Sequence, residues 1–316
     1  MNFSPEKIYI AGHTGLVGQA FCHKFQSYVN SVLLLRTHVE LDLTSQEAVA
    51  DFFSSEKPDL VILAAAKVGG IHANNTYPAE FIYENMMIEC NLIHQSYLHG
   101  VKNLIYFGST CVYPKNALQP MKEDSILTGP LEPTNEPYAV AKIAGIKLCE
   151  SYNRQYGTCY QTILPTNLYG IHDNFHPENS HVIPGLMRRI HEAKVNDIPE
   201  VSIWGSGSAK REFLFVDDLV VACLLLLDYK EDYSPVNIGS QEEVSILELA
   251  EMMVEVVGYK GRLAFDTSKP DGMPLKKVDT SKMDALGWKA RTPLREGLQK
   301  VYCWFLTNNI SKNIIS

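Results

Sequence analysis

The sequence has no Cys-x-x-Cys pair and no regular cysteine spacing. Its seven cysteines, Cys22, Cys90, Cys111, Cys149, Cys159, Cys223 and Cys303, lie scattered, which argues against a disulfide framework and points to a reducing, cytoplasmic setting. Basic charge is not in excess. The formal net charge is −8, so broad binding to nucleic acid or to an anionic membrane is not expected, and any anion site must be a local pocket. No apolar run approaches the ~20 residues that a bilayer crossing needs. The longest, Leu219 to Leu227, reads as a buried helix, and no membrane span is expected. A basic leader followed by an apolar stretch is also missing: "KIYIAG" already reads as a first strand, so the mature chain is expected to start near Met1. Internal repeats and low-complexity tracts are absent. What remains, 46% hydrophobic and 20% charged residues, is the composition of a folded globular enzyme.

The first half alternates short apolar runs with helical spacing. "KIYIAG", "SVLLL", "DLVILAA" and "NLIYFG" read as buried strands, and that order implies an α/β fold, a Rossmann-type doubly wound parallel sheet. Thr44 and Glu47 have capping-box spacing ahead of "AVADFF", and Ser245 and Glu248 have it ahead of a helix that closes at Gly258. Beyond about residue 170, "GIHDNFHPENSHVIP" reads as loop, and a smaller α/β substrate domain is expected to begin. "REFLFVDDLVVACLLLLDY", with Asp217 or Asp218 as N-cap, is apolar enough to return to the main core. The expected division is therefore 1–169 with 213–240 for the dinucleotide, and 170–212 with 241–316 for the substrate.

Gly12, Gly15 and Gly18 in "AGHTGLVG" follow the first strand and open a helix. Small residues there let backbone approach a pyrophosphate at the helix N-terminus. An NAD enzyme usually presents an acidic side chain after its second strand; this chain has Arg36, which suits a 2′-phosphate and favours NADP. Asp42 reads either as a partner for the adenine edge or as an ordinary polar residue before the Thr44 cap.

Tyr138 and Lys142 stand four apart on a helical pattern, hence on one face. The ammonium is expected to lower the tyrosine pKa and so fit it for acid–base work. Ser109 ends a strand between the glycine motif and the tyrosine and can hold a substrate oxygen. If the chain stays extended there, Cys111 faces the same side. His172, His176 and His181 have a spacing that invites a metal, but Pro177 and the asparagines around it argue for loop, and no metal site is expected.

The blocks "LAAAKVGGIHANNTYPAEFIYENM", "STCVYPK", "LEPTNEPYAVAKIAGIKLCESYNRQYG", "PTNLYG", "HDNFHPENSHVIP", "WGSG" and "REFLFVDDL" resemble the GDP-L-fucose synthases, and the resemblance covers nearly the whole chain. It implies a homodimer that converts GDP-4-keto-6-deoxy-D-mannose by epimerising carbons three and five and reducing the carbon-four ketone with NADPH. It implies Ser109, Tyr138 and Lys142 for reduction, Cys111 as the epimerisation base and His181 as the acid. For the cofactor it implies Gly12, His13, Thr14, Gly15, Leu16, Val17, Gly18, Arg36, Asp42, Phe107, Gly108, Ser109, Thr110, Tyr138, Lys142, Pro165, Thr166, Asn167, Leu168 and His181. For the GDP end it implies Arg189, Trp204, Arg211 and Asp271. Many relatives have Arg where Thr14 stands and "DGTPRK" where this chain has Met273 and Leu275. A 4,6-dehydratase, the nearest rival with a 4-epimerase, wants an Asp-Glu pair where this chain has Cys111 and Val112 after Thr110. A non-catalytic nucleotide-binding module would be expected to have lost Tyr138 or Lys142.

Overall fold

All four strands expected at the start of the chain are present, separated by helices, so each strand re-enters the sheet in the same direction. The computed structural model describes residues 5–26, 31–177, 180–229, 234–268 and 273–309. The chain opens with β1 (Lys7–Ala11), α1 (Leu16–Phe25), β2 (Val32–Leu34), α2 (Gln46–Glu56), β3 (Leu60–Leu63), α3 (Ile71–Thr76), α4 (Pro78–Leu98), β4 (Asn103–Phe107), α5 (Glu136–Tyr156) and β5 (Cys159–Pro165). The second half runs β6 (Asn167–Tyr169), α6 (Val182–Val195), β7 (Glu200–Trp204), β8 (Lys210–Phe215), α7 (Val216–Asp228), β9 (Val236–Ile238), β10 (Glu243–Ser245), α8 (Ile246–Val257), β11 (Arg262–Asp266), β12 (Leu275–Lys276), α9 (Ser281–Ala285) and α10 (Leu294–Asn309).

The main sheet has six strands in the order β2-β1-β3-β4-β5-β9, and every neighbouring pair is parallel. Side chains alternate across it. Ile8 and Ile10 pack with Phe21 and Phe25 of α1 and Leu219 and Leu226 of α7. Tyr9 and Ala11 face the layer holding Val49 and Phe53 of α2, Leu92 of α4 and Ile146 of α5. With both faces covered, β3 is buried at every residue and reads as a continuous apolar run. Because β1 lies between β2 and β3, connections leave it in opposite directions, and a crevice opens at the carboxyl ends of those strands.

Beyond β5 the chain builds a second layer. Strands β10, β8 and β12 pair in that order, β6 joins β8, and β7 pairs with β11. Their core is Met187 and Ile190 of α6, Leu249 and Met253 of α8, and Leu298 and Val301 of α10. Between β8 and β10 the chain crosses back: α7 packs on α1, and β9 extends the main sheet beside β5. Met283 and Trp288 also pack into the α1–α7 cluster.

Two helix starts differ from the sequence reading. α2 is capped by Ser45, whose side chain accepts from Ala48 N. Thr44 is diverted, because both its backbone N–H and its hydroxyl donate to Asp42 Oδ1, at 2.9 and 2.7 Å. Neither Asp217 nor Asp218 caps α7; both lie in its first turn after Phe215, where carboxylates suit the positive helix end. Asp218 instead accepts from Arg291 N and Thr292 N. The Ser245–Glu248 box and the Gly258 stop of α8 are both present.

Leu219 is fully buried in α7, so Leu219→Ala should cost about 2–5 kcal/mol of unfolding free energy. Urea titration followed by circular dichroism checks it, and a loss below about 0.5 kcal/mol would remove α7 from the core.

Candidate active site

The glycine loop is shaped by contact. Gly12 has φ of 81°, and a Cβ there would lie 2.6 Å from Ala65 N at the end of β3. A Cβ on Gly18 would lie 2.2 Å from Gly12 O, so α1 packs backbone to backbone on the turn. Gly15 meets nothing closer than 3.5 Å; with Thr14 it forms the exposed crest. No side chain caps α1 and its first turn carries no acid, which leaves N–H donors and positive helix potential for an anion. Leu16 and Val17 turn inward against the α1–α7 cluster. His13 adds a buried Nδ1 with no hydrogen-bond partner among the described residues.

Arg36 lies beside this loop but is engaged. Its guanidinium pairs with Glu56 at 2.6 Å, donates to Leu35 O at 2.8 Å, and sits over the Phe52 ring. Asp42 is likewise engaged with Thr44, and those two hydrogen bonds hold its carboxyl below the usual range.

The end of β4 carries the reactive group. Gly108 is pressed against β5, where a Cβ would meet Leu164 Cδ2 at 2.6 Å. Phe107 and Thr110 are buried around it. Ser109 is still extended, but Thr110–Val112 form a tight 3-10 turn. Cys111 therefore reaches Ser109 through that turn, not by strand alternation, and its N–H donates to Ser109 Oγ at 3.3 Å. Tyr138 is hydrogen-bonded to Ser109. Burial, and then the negative charge that Cys111 and Glu89 can carry, push the phenol pKa above its ordinary value against the opposing Ser109 bond.

That direction reverses the expectation for the tyrosine, and the reason lies behind Lys142. Its Nζ is 5.8 Å from the Tyr138 ring centre and pairs with Glu89 at 2.9 Å. Both partners are almost wholly buried, at 3% and 2% exposure. Glu89 thus offsets the ammonium, and desolvation dominates at Tyr138. Tyr106 completes the group, donating to Lys142 O at 3.2 Å. Gly145 makes room: a Cβ there would lie 2.4 Å from the Tyr106 hydroxyl and 2.7 Å from Glu89 Oε2. Glu89 was missed by the sequence reading, yet it had a signal. Asn85, Glu89 and Ser96 recur at helical spacing along the buried stripe of α4.

The structure brings Ser109, Cys111, Tyr138 and Lys142 together. His181 is the N-cap of α6, and its imidazole makes no hydrogen bond among the described residues; desolvation pulls its pKa down. Pro165 ends β5 and Leu168 lies on β6, while Thr166 and Asn167 between them both donate to Glu212 O, at 3.0 and 2.9 Å. Arg189 donates to Ser202 O at 2.9 Å on β7, the strand that ends in Trp204. Trp204 is two-thirds exposed. Arg211 on β8 donates to Met273 O at 2.6 Å. Asp271 lies outside the described residues.

In the loop before α6, burial raises the carboxyl of Asp173 to about 7; its Oδ1 accepts from Asn174 N at 2.7 Å. The folded value lies above the unfolded one, so its contribution is fully present below the ordinary carboxylate range and is lost as pH rises through about 7. The stability gap between wild type and Asp173→Asn should therefore shift by about 2–4 kcal/mol, in the variant's favour, from low to high pH. Urea unfolding at pH 4.5 and 8.5 measures it, and a constant gap would contradict the raised value.

A family model described as the NAD dependent epimerase/dehydratase family matches residues 8–239. The chain is 58% identical to the putative GDP-L-fucose synthase 2 of Arabidopsis thaliana, over 97% of this chain and 93% of that one. It is 53% identical to the GDP-L-fucose synthase of Escherichia coli (strain K12), over 96% of this chain and 98% of that one. A solved GDP-L-fucose synthetase from Naegleria fowleri bound to NADP superposes with a TM-score of 0.90 at 30% identity, over 97% of this chain and 94% of that one. The chain belongs to the NAD dependent epimerase/dehydratase family and, within it, to the group of the GDP-L-fucose synthases.

Proposed function

We propose that this protein converts GDP-4-keto-6-deoxy-D-mannose to GDP-L-fucose, epimerising carbons three and five and then reducing the carbon-four ketone with NADPH. One observation carries the reading: Ser109 Oγ takes the Cys111 backbone N–H, and the Cys111 sulfur and the Ser109 side chain both act on the Tyr138 phenol, so a cysteine that as thiolate can take a proton and a phenol able to give one share a single small site. A ketone acidifies the hydrogens on both neighbouring carbons, so one bound carbonyl serves all three steps.

Ser109 and Tyr138 hold the ketone oxygen. Cys111 removes the carbon-bound proton, and His181 returns one from the other face. Desolvation lowers the His181 pKa, so its imidazolium gives up a proton more readily than a free one. NADPH supplies the hydride when bound. Tyr138 then donates its proton to the new alkoxide. A phenol held protonated by burial is the right state for that step, since the alkoxide is much the stronger base. Lys142, fixed by Glu89, would hold the nicotinamide ribose.

The cradle fits a dinucleotide. Gly12, His13, Thr14, Gly15, Leu16, Val17 and Gly18 bring free helix N–H groups and open backbone to the pyrophosphate. Phe107, Gly108 and Thr110, with Pro165, Thr166, Asn167 and Leu168, form its floor at the strand ends. Arg36 would hold the 2′-phosphate once released from Glu56, and Asp42 would meet the adenine edge. Arg189, Trp204 and Arg211, with Asp271, hold GDP. Arg189 is exposed and Arg211 half-buried, so both guanidinium groups are open to a ligand. The protein acts in the cytoplasm as a homodimer; α4 and α5 expose Tyr83, Leu98, Val140 and Tyr156, apolar surface that a second copy would cover.

Tyr138→Phe should fold normally and lose on the order of 100- to 10,000-fold in ketone reduction, measured as NADPH oxidation. Turnover near wild type would remove Tyr138 as donor. Cys111→Ser should lose deuterium uptake at carbon three, carbon five or both in heavy water, because a serine hydroxyl is a far weaker acid than a thiol. Its slow product should be enriched in incompletely epimerised sugar. Exchange of both hydrogens at the wild-type rate would exclude Cys111 as base.

A further inference from the structure

Asn135 occupies the N-cap position of α5, three residues before Tyr138. Asparagine is among the strongest N-cap residues, because its side-chain oxygen accepts from the N2 or N3 backbone N–H. Here it accepts nothing from the helix. Part of the reason is local: the N2 residue is Pro137, which has no N–H to offer. The side chain is thereby released, and its Nδ2 donates to Cys111 Sγ at 3.2 Å. Its Oδ1 is buried and has no hydrogen-bond partner among the described residues. An omitted cap and an unpaired buried acceptor both disfavour this arrangement on local grounds, and such departures concentrate where geometry serves a site.

The two ends of the amide suit the two species that meet there. A sulfur accepts a hydrogen bond weakly as a thiol and strongly as a thiolate, so an N–H aimed at Cys111 favours its charged form. The amide oxygen can only accept, and a sugar ring offers hydroxyl donors. We infer that Asn135 is a positioning residue for the epimerisation: its N–H holds the Cys111 sulfur as the proton-abstracting thiolate, and its oxygen receives a hydroxyl of the substrate sugar. This rests on the proposed function for the identity of the sugar, though not for the state of the sulfur.

The first test therefore uses no sugar. Purified protein is alkylated with iodoacetamide at pH 7, and the Cys111 peptide is followed by mass spectrometry with the exposed Cys303 as internal reference. Asn135→Ser keeps a residue able to cap α5, so the thermal midpoint should hold, while Cys111 alkylation slows roughly three- to tenfold. Asn135→Asp preserves the shape and puts a carboxylate in place of the donor, and should slow it further. Alkylation of Cys111 at the wild-type rate or faster in both variants would overturn the thiolate contact. With GDP-4-keto-6-deoxy-D-mannose and NADPH, the KM for the sugar should rise about tenfold in Asn135→Ser, the effect of one lost hydrogen bond to a bound ligand. A wild-type KM would overturn the hydroxyl contact. If the wild type leaves this sugar unreacted, the proposed function fails while the alkylation result stands.

Discussion

A charge withdrawn from water must be matched where it lies, and Lys142 and Glu89 match each other at 2.9 Å in a region that almost excludes solvent. Much of the site follows from that pair. It fixes α4 against α5 at the level of Tyr138, and it requires Gly145, since any side chain there would displace Glu89 or Tyr106. On the same buried stripe Asn85 bonds Lys67 through both its amide ends, accepting from Lys67 N and donating to Lys67 O. The loop after β3 is thereby held beside the glycine turn. Removing either charge would leave the other buried and alone, a loss of about 3–5 kcal/mol.

The pair also decides how the tyrosine works. An unopposed ammonium would favour phenolate; an ammonium offset by Glu89 leaves burial to set the outcome, and Tyr138 keeps its proton. In the proposed function Tyr138 gives a proton to developing negative charge on oxygen, while Cys111, one tight turn beyond Ser109, takes one from carbon. Reduction and epimerisation need these opposite capacities around one carbonyl. In that reading, residues of different chemistry around Ser109 supply them without a second pocket.

Features fixed by nearby residues could be read directly from the chain. The glycine turn, the buried strands, the Ser245–Glu248 box and the Tyr138–Lys142 spacing all depend on neighbours a few positions away. Features fixed by tertiary contact could not. Glu89 reaches Lys142 from another helix, Glu56 reaches Arg36 from the end of α2, and Asp218 turns from capping α7 to hold the chain before α10. Asn135 gave no signal in the sequence, because only the folded chain brings the Cys111 sulfur to it. Thr44 was misread for a smaller reason, competition from Asp42 two residues away.

In the proposed function one site inverts two carbons and reduces a third. The direct measurement is the product formed by the wild-type protein from GDP-4-keto-6-deoxy-D-mannose and NADPH, with nucleotide-sugar configuration assigned by NMR against the NADPH consumed. One NADPH oxidised per sugar, with GDP-L-fucose as the product, is the expected result. A GDP-6-deoxyhexose reduced at carbon four with carbons three and five unchanged would contradict it.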